Sequence, residues 1–136
     1  RHTRYISVTG VQTCALPIYE RILAAMARAL RPGGVLALSA FSSYFTVKYF
    51  AADPSTTAPF DAATGGNHER TVIRDEQGRE AGAEMWTGCY TPRELRLLSE
   101  AVGLEPISIS SVEPGAYGAA APTTETPEFL LIARRP

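Results

Sequence analysis

Ile22 to Phe41 reads ILAAMARALRPGGVLALSAF, an amphipathic helix stopped by Pro-Gly-Gly and followed at once by an unbroken apolar run. Ile22, Leu23, Met26, Ala27 and Leu30 recur at helical spacing, while Glu20, Arg21 and Arg28 fall toward the other side, so one face is core and the other solvent. Pro32 cannot continue a helix, and Gly33 or Gly34 can close one in the left-handed conformation without a Cβ penalty. Val35, Leu36, Ala37 and Leu38 follow without polar alternation, the pattern of a strand covered by helices on both faces. The stretch predicts one late helix-to-strand step of an α/β sheet with parallel strands.

The same grammar continues downstream. Thr91-Pro92-Arg93-Glu94 places a hydroxyl at the N-cap, proline at the first helical position and Glu three residues after the cap, a capping box with a proline start. Leu95, Leu98 and Val102 mark one face of that helix, and Gly103 supplies its stop. Ile107 and Ile109 alternate with Ser108 and Ser110 as in a strand with one face toward the core, ended by Pro114 and Gly115. A loop rich in Ala, Pro and Thr runs from Ala116 to Thr126, and Phe129 to Ala133 form a last apolar run of strand length. Between the first strand and the capped helix lies an insertion, Ser42 to Tyr90. Up to His68 it is dense in small residues, Pro54 and Pro59 among them, with scattered aromatics. The rest reads as a hairpin: Thr71-Val72-Ile73, a turn at Asp75-Glu76-Gln77-Gly78, and a return from Ala81 to Thr87.

The L-R-P-G-G junction with its helix and strand, the T-P-R-E-L helix start and the terminal E-F-L-L-I-A-R strand resemble the later part of class I S-adenosylmethionine-dependent methyltransferases. The resemblance implies the C-terminal part of a Rossmann-like methyltransferase sheet, α/β in class. Its last three strands and their helices would be present, with an inserted β-hairpin and the final strand antiparallel between the fifth and sixth. It implies a parent enzyme that transfers a methyl group to a small-molecule acceptor, with S-adenosyl-L-methionine as cofactor. No cofactor residue carries over to this sequence, because the glycine-rich turn and the acidic residue that hold the cofactor are absent from it. Gly33-Gly34 end a helix before a strand, whereas a cofactor loop follows a strand and opens a helix. The expectation is therefore a fragment that is inactive and binds the cofactor poorly by itself. Losing the first four strands would also leave Val35 to Ala40 as an unpaired apolar edge, which predicts low solubility. Two other readings use the same elements. One is a non-catalytic α/β binding or partner subunit; the other is the C-terminal part of a nicotinamide-dependent oxidoreductase, which predicts an upstream G-x-G-x-x-G and a Tyr and a Lys at helical spacing, a pair not expected in these residues.

Working back from the helix, residues 1–18, RHTRYISVTGVQTCALPI, show no helical period and no sustained strand alternation. They resemble translated sequencing-adapter read-through and are expected to be a non-native leader, with residues 19–136 forming the methyltransferase-like part and 42–90 its insertion. Thr9, Gly10, Gln12, Thr13 and Pro17 interrupt the apolar run that a secretory signal needs. The whole chain carries a net charge of −1, and the leader contributes two arginines and no acid. No basic cluster appears, so no nucleic-acid partner is expected. Cys14 and Cys89 do not suggest a disulfide framework, and with only His2 and His68 beside them no metal cluster is expected. No apolar run approaches the roughly 20 residues that span a bilayer, so a cytoplasmic protein without a membrane partner is expected.

In open α/β sheets ligands sit beyond the carboxyl ends of the strands. Phe41, Ser42 and Tyr44 are accordingly the candidate substrate-binding residues, two aromatic walls and a hydroxyl; packing of the insertion onto the sheet is the competing role of the aromatics. Methyl transfer to a hydroxyl or amine gains from a nearby base, and His68 is the catalytic candidate, with Glu69 beside it to orient the ring. A solvated loop histidine is the competing reading. Cys89 reads as a small buried hydrophobe rather than a nucleophile.

Overall fold

Helix α1 spans Ala15–Ala29, so it begins inside the stretch read as a leader. Pro17 falls in its first turn, where a missing N–H removes no intrahelical bond. The computed structural model describes residues 15–51, 58–113, 115–117 and 120–136, with side chains from Tyr19 onward. The rest of the leader, with His2 and Cys14, lies outside the described residues, as do Pro54 and Pro114. Leu23, Met26 and Ala27 are the buried face of α1. Gly33 closes the turn after the helix with φ +74°.

There follow β1 (Val35–Ser42), a short α2 (Ser43–Thr46) running into a π-type turn (Val47–Ala51), β2 (Phe60–Asp61), β3 (Gly66–Arg74) and β4 (Glu80–Tyr90). Then come α3 (Pro92–Ala101), β5 (Glu105–Val112) and β6 (Glu128–Arg134). The strands form one sheet in the order β2-β3-β4-β1-β6-β5. β6 is antiparallel to both neighbours, from Val35↔Arg134 to Phe41↔Glu128 on β1 and from Glu105↔Arg134 to Val112↔Glu128 on β5. The inserted hairpin is not a separate flap. β4 runs parallel to β1 and joins it at Phe41↔Cys89 and Ser42↔Tyr90. From Val35 to Ala40 that edge of β1 meets no strand among the described residues.

The expectation that β1 is covered on both faces is corrected. Leu36 is buried, but Val35 is 55% and Phe41 46% exposed. Leu23, Met26 and Ala27 of α1 cluster with Leu36, Leu104, Leu131 and Ala133, and Leu98 of α3 packs against the same cluster. Both helices therefore cover one face, and α2 reaches the other only near the carboxyl end of β1. An unbroken apolar sequence cannot say which face is covered when the covering elements are remote.

Local chemistry explains the remaining elements. In the α3 capping box the Glu94 N–H donates to Thr91 Oγ1 at 3.2 Å and the Thr91 N–H donates to Glu94 Oε2 at 2.6 Å. The hairpin begins at Gly66, earlier than Thr71, and pairs continuously to Arg74↔Glu80. Its turn is set by Gly78 at φ +77° and by Asp75 Oδ1, which accepts from the Gln77 and Arg79 amides. A bulge between Pro106 and Ser108 breaks the expected alternation of β5, leaving Ile107 53% exposed while Ile109 packs on the core.

Candidate functional site

At the carboxyl end of β1 the chain turns from strand directly into α2. Ser42 makes that turn: its Oγ accepts from the Phe45 amide at 3.2 Å and its own N–H donates to the Pro127 carbonyl at 3.0 Å. The side chain is fully buried, so its hydroxyl caps the helix rather than facing solvent. Phe41 and Tyr44 lie on the outer rim, 46% and 43% exposed. Phe45, half-buried, is the centre of an aromatic group, 4.5 Å from Tyr49 at 43° and 6.2 Å from Phe50 at 54°. The tilted rings follow the edge-to-face preference of aromatic quadrupoles.

The π-type turn carries Lys48 and Tyr49, which both donate to the Glu125 carboxylate in the loop before β6. Lys48 and then Tyr49 hold the Glu125 carboxyl below the usual range, and the same bond to Glu125 raises the Tyr49 phenol. This three-residue clasp ties α2 to the β5–β6 loop. π-type turns recur at functional positions. Behind the rim, Thr46 is buried with its hydroxyl 3.4 Å from the Cys89 thiol. Burial pushes that thiol upward against the lowering hydrogen bond from Thr46. Cys89 is therefore a poor nucleophile, as a buried thiol should be.

His68 sits on β3, within a strand rather than a loop. Its ring stacks on Trp86 at 4.5 Å and 7°. Nε2 lies 3.5 Å from Glu84 Oε2, without a hydrogen bond, and Glu84 also receives Arg70 Nε at 3.1 Å. The pairing of His68 with Glu69 is thus corrected: neighbours along a strand point to opposite faces, so the cross-strand Glu84 takes that place. By the same alternation Trp86 shares a face with Tyr90, whereas Phe41 and Cys89 share the other. The structure brings Phe45, Tyr49 and Phe50 together beside the exposed Phe41 and Tyr44 at the end of β1 and the start of α2, and places His68 on the opposite face from Phe41. Lys48 and Glu125 were missed in the sequence because they are 77 residues apart. The expectation that no Tyr and Lys stand at helical spacing is corrected, since Tyr44 and Lys48 are four residues apart; Lys48 is committed to Glu125.

The described residues do not fit an S-adenosylmethionine cradle. β1 passes into α2 through Ser42-Ser43 with no glycine, Gly33 closes a helix, and Gly65, at φ +69°, precedes a strand. Among the described residues no helix is long and apolar enough to cross a membrane.

Parallel β1 and β5 separated by an antiparallel β6, with α1 and α3 on one face, define the later part of a methyltransferase-type Rossmann-like α/β fold. The solved structures most like the chain in this respect include the CcbJ methyltransferase of Streptomyces caelestis, with TM-score 0.62, 13% identity, and coverage of 85% of this chain and 49% of that one. A second is an S-adenosylmethionine-dependent methyltransferase of Clostridium acetobutylicum, with TM-score 0.57, 12% identity, and coverage of 85% and 50%. The chain thus spans about half the length of these structures, and at such identities the likeness establishes the fold. No family model and no curated protein sequence matches the chain.

Proposed function

We propose that this chain is the C-terminal part of an S-adenosylmethionine-dependent methyltransferase acting on a small molecule, with the acceptor lying against the aromatic rim at the carboxyl end of β1. The observation that supports it is the likeness of 85% of the chain to about half of the CcbJ methyltransferase structure. The rim adds the acceptor class. Phe41, Tyr44 and the Phe45 group give flat apolar walls, and the Glu125 clasp a polar border, which suits a compact apolar acceptor. In this reading Phe41 and Tyr44 bind the acceptor while Ser42 positions the rim. His68, on the far face, serves the hairpin. The groups that hold the cofactor belong to residues outside this sequence, so the chain alone transfers no methyl group. The parent enzyme is cytoplasmic and its partners are small molecules, not nucleic acid or membrane.

The test is calorimetric. The chain is produced alone and joined to the coding sequence that precedes Tyr19 in its parent locus, and each is titrated with S-adenosylmethionine. The joined protein is expected to bind and the chain alone not to. A joined protein that folds cooperatively yet binds no S-adenosylmethionine overturns the proposal.

A further inference from the structure

On the face of the sheet opposite the α2 rim, a pocket of about 180 Å³ opens between β4, α1 and α3, with Tyr19, Gly88, Tyr90, Glu94, Leu97 and Leu98 in its walls. Its floor is bare strand. A Cβ on Gly88 would stand 2.6 Å from Tyr19 Cζ, so glycine is what allows the Tyr19 ring to approach the strand. Tyr19 meets Tyr90 edge to face, 5.5 Å between centroids at 86°, giving two aromatic walls at right angles. Leu97 and Leu98 supply apolar surface from α3.

Size and polarity narrow the occupant. An apolar cavity of about 150 Å³ takes up benzene, so this space suits one six-membered ring with a small substituent. Thr64 and Cys89 also line it, but Thr64 Oγ1 is spent on Asp61, the Cys89 thiol on Thr46 and the Tyr19 phenol on the Gly88 backbone, which leaves two polar groups to consider. The Tyr90 hydroxyl makes no hydrogen bond among the described residues. Glu94 spends Oε2 on the Thr91 amide, which leaves Oε1 as an acceptor. Burial first, then the neighbouring Tyr19 and Cys89 and last Glu94, raises the Tyr90 phenol, which stays protonated and therefore a donor.

We infer that this pocket binds a monocyclic aromatic molecule bearing one hydroxyl group, its ring held between Tyr19 and the α3 leucines and its hydroxyl bonded to Tyr90. The site does not depend on the methyltransferase reading, because it opens across the sheet from the rim and uses none of Phe41, Tyr44, Phe45 and Tyr49.

Phenol and toluene, nearly equal in shape, are titrated separately into the ¹⁵N-labelled full chain, and the amide shifts are followed. Saturable shifts centred on Gly88, Tyr90 and Leu97 are expected with both. Tyr90→Phe should weaken phenol about 2- to 10-fold, the worth of one net hydrogen bond, and leave toluene unchanged. Leu97→Trp, at a position 53% exposed and so harmless to the core, should abolish both. Shifts that do not saturate, or that are as large at Phe45 and Tyr49 as in the pocket, overturn the inference. So does a Leu97→Trp protein that still binds, or a folded Tyr90→Phe protein that treats phenol as before.

Discussion

Leu130 and Leu131 are adjacent residues of one type on opposite faces of β6, so replacing each by alanine measures how one-sided the core is. Leu131 is fully buried between Leu38 of β1 and Ile109 of β5, under the α1 face. Leu130 is half-buried and its cross-strand partners are Ser39 and Ser110, which offer short side chains and few carbon contacts. Leu131→Ala should cost about 3 kcal/mol, within the range for fully buried leucines. Leu130→Ala should cost about 1 kcal/mol, because much of its surface already meets water. The difference of about 2 kcal/mol is a factor of about 30 in the folding constant. With a urea slope of about 1.5 kcal/mol/M, the two midpoints should stand about 1.3 M apart. The assay is urea unfolding followed by Trp86 fluorescence at low protein concentration, where association through the open edge of β1 is suppressed. Midpoints within about 0.3 M of each other would mean that both faces are equally covered, and the one-sided core described above would be wrong.

Thr91→Ala removes the side-chain half of the α3 capping box, the bond from the Glu94 amide to Thr91 Oγ1, while the Thr91 N–H can still donate to Glu94, and should lower stability by about 1 kcal/mol; a thermal midpoint unchanged in circular dichroism would refute this. Cys89 should resist alkylation in the native chain at pH 8 and react on unfolding, because its thiol is buried and its pKa raised; rapid labelling of folded protein that peptide mapping assigns to Cys89 rather than to Cys14 would count against it. Glu125 has a folded-state pKa lowered by Lys48 and Tyr49. Its clasp should therefore be complete above the ordinary glutamate range and open as pH falls through the lowered value. Lys48→Ala should move the Glu125 titration upward in carbon-detected NMR, and an unmoved titration would show that the clasp does not form in solution.

The local grammar of the chain was readable where a few neighbouring residues settle the conformation. Pro32-Gly33 ends α1, Thr91 with Glu94 starts α3, and Gly78 turns the hairpin, each within a span of five residues or fewer. What could not be read is set by partners far along the chain. The two-residue parallel join of β4 to β1, the facing of Val35 and Phe41 to solvent, and the partnership of His68 with Glu84 all depend on strand register. Strand register is a property of the assembled sheet. The rim followed the same division: Phe41 and Tyr44 could be placed from the end of the apolar run, but the inward turn of Ser42 needed the Pro127 carbonyl. A glycine opposite an aromatic, as at Gly88 and Tyr19, leaves no local pattern at all.

The last residues of the chain complete its first helix. Arg135 Nη1 donates to the carbonyls of Ala27, Arg28 and Leu30 at 3.3, 3.2 and 2.5 Å, and the Gly33 amide donates to the Arg135 carbonyl at 2.8 Å. Up to 108 residues separate these groups. On a ribosome, α1 therefore waits for roughly 5 to 20 s of further synthesis before its exposed carbonyls are met. During that interval its apolar stripe has neither β6 nor Arg135 to close against. Closure of the native sheet over α1 is in this sense tied to the synthesis of β6 and Arg135, and the nascent chain depends on staying apart from its neighbours until those residues have been added.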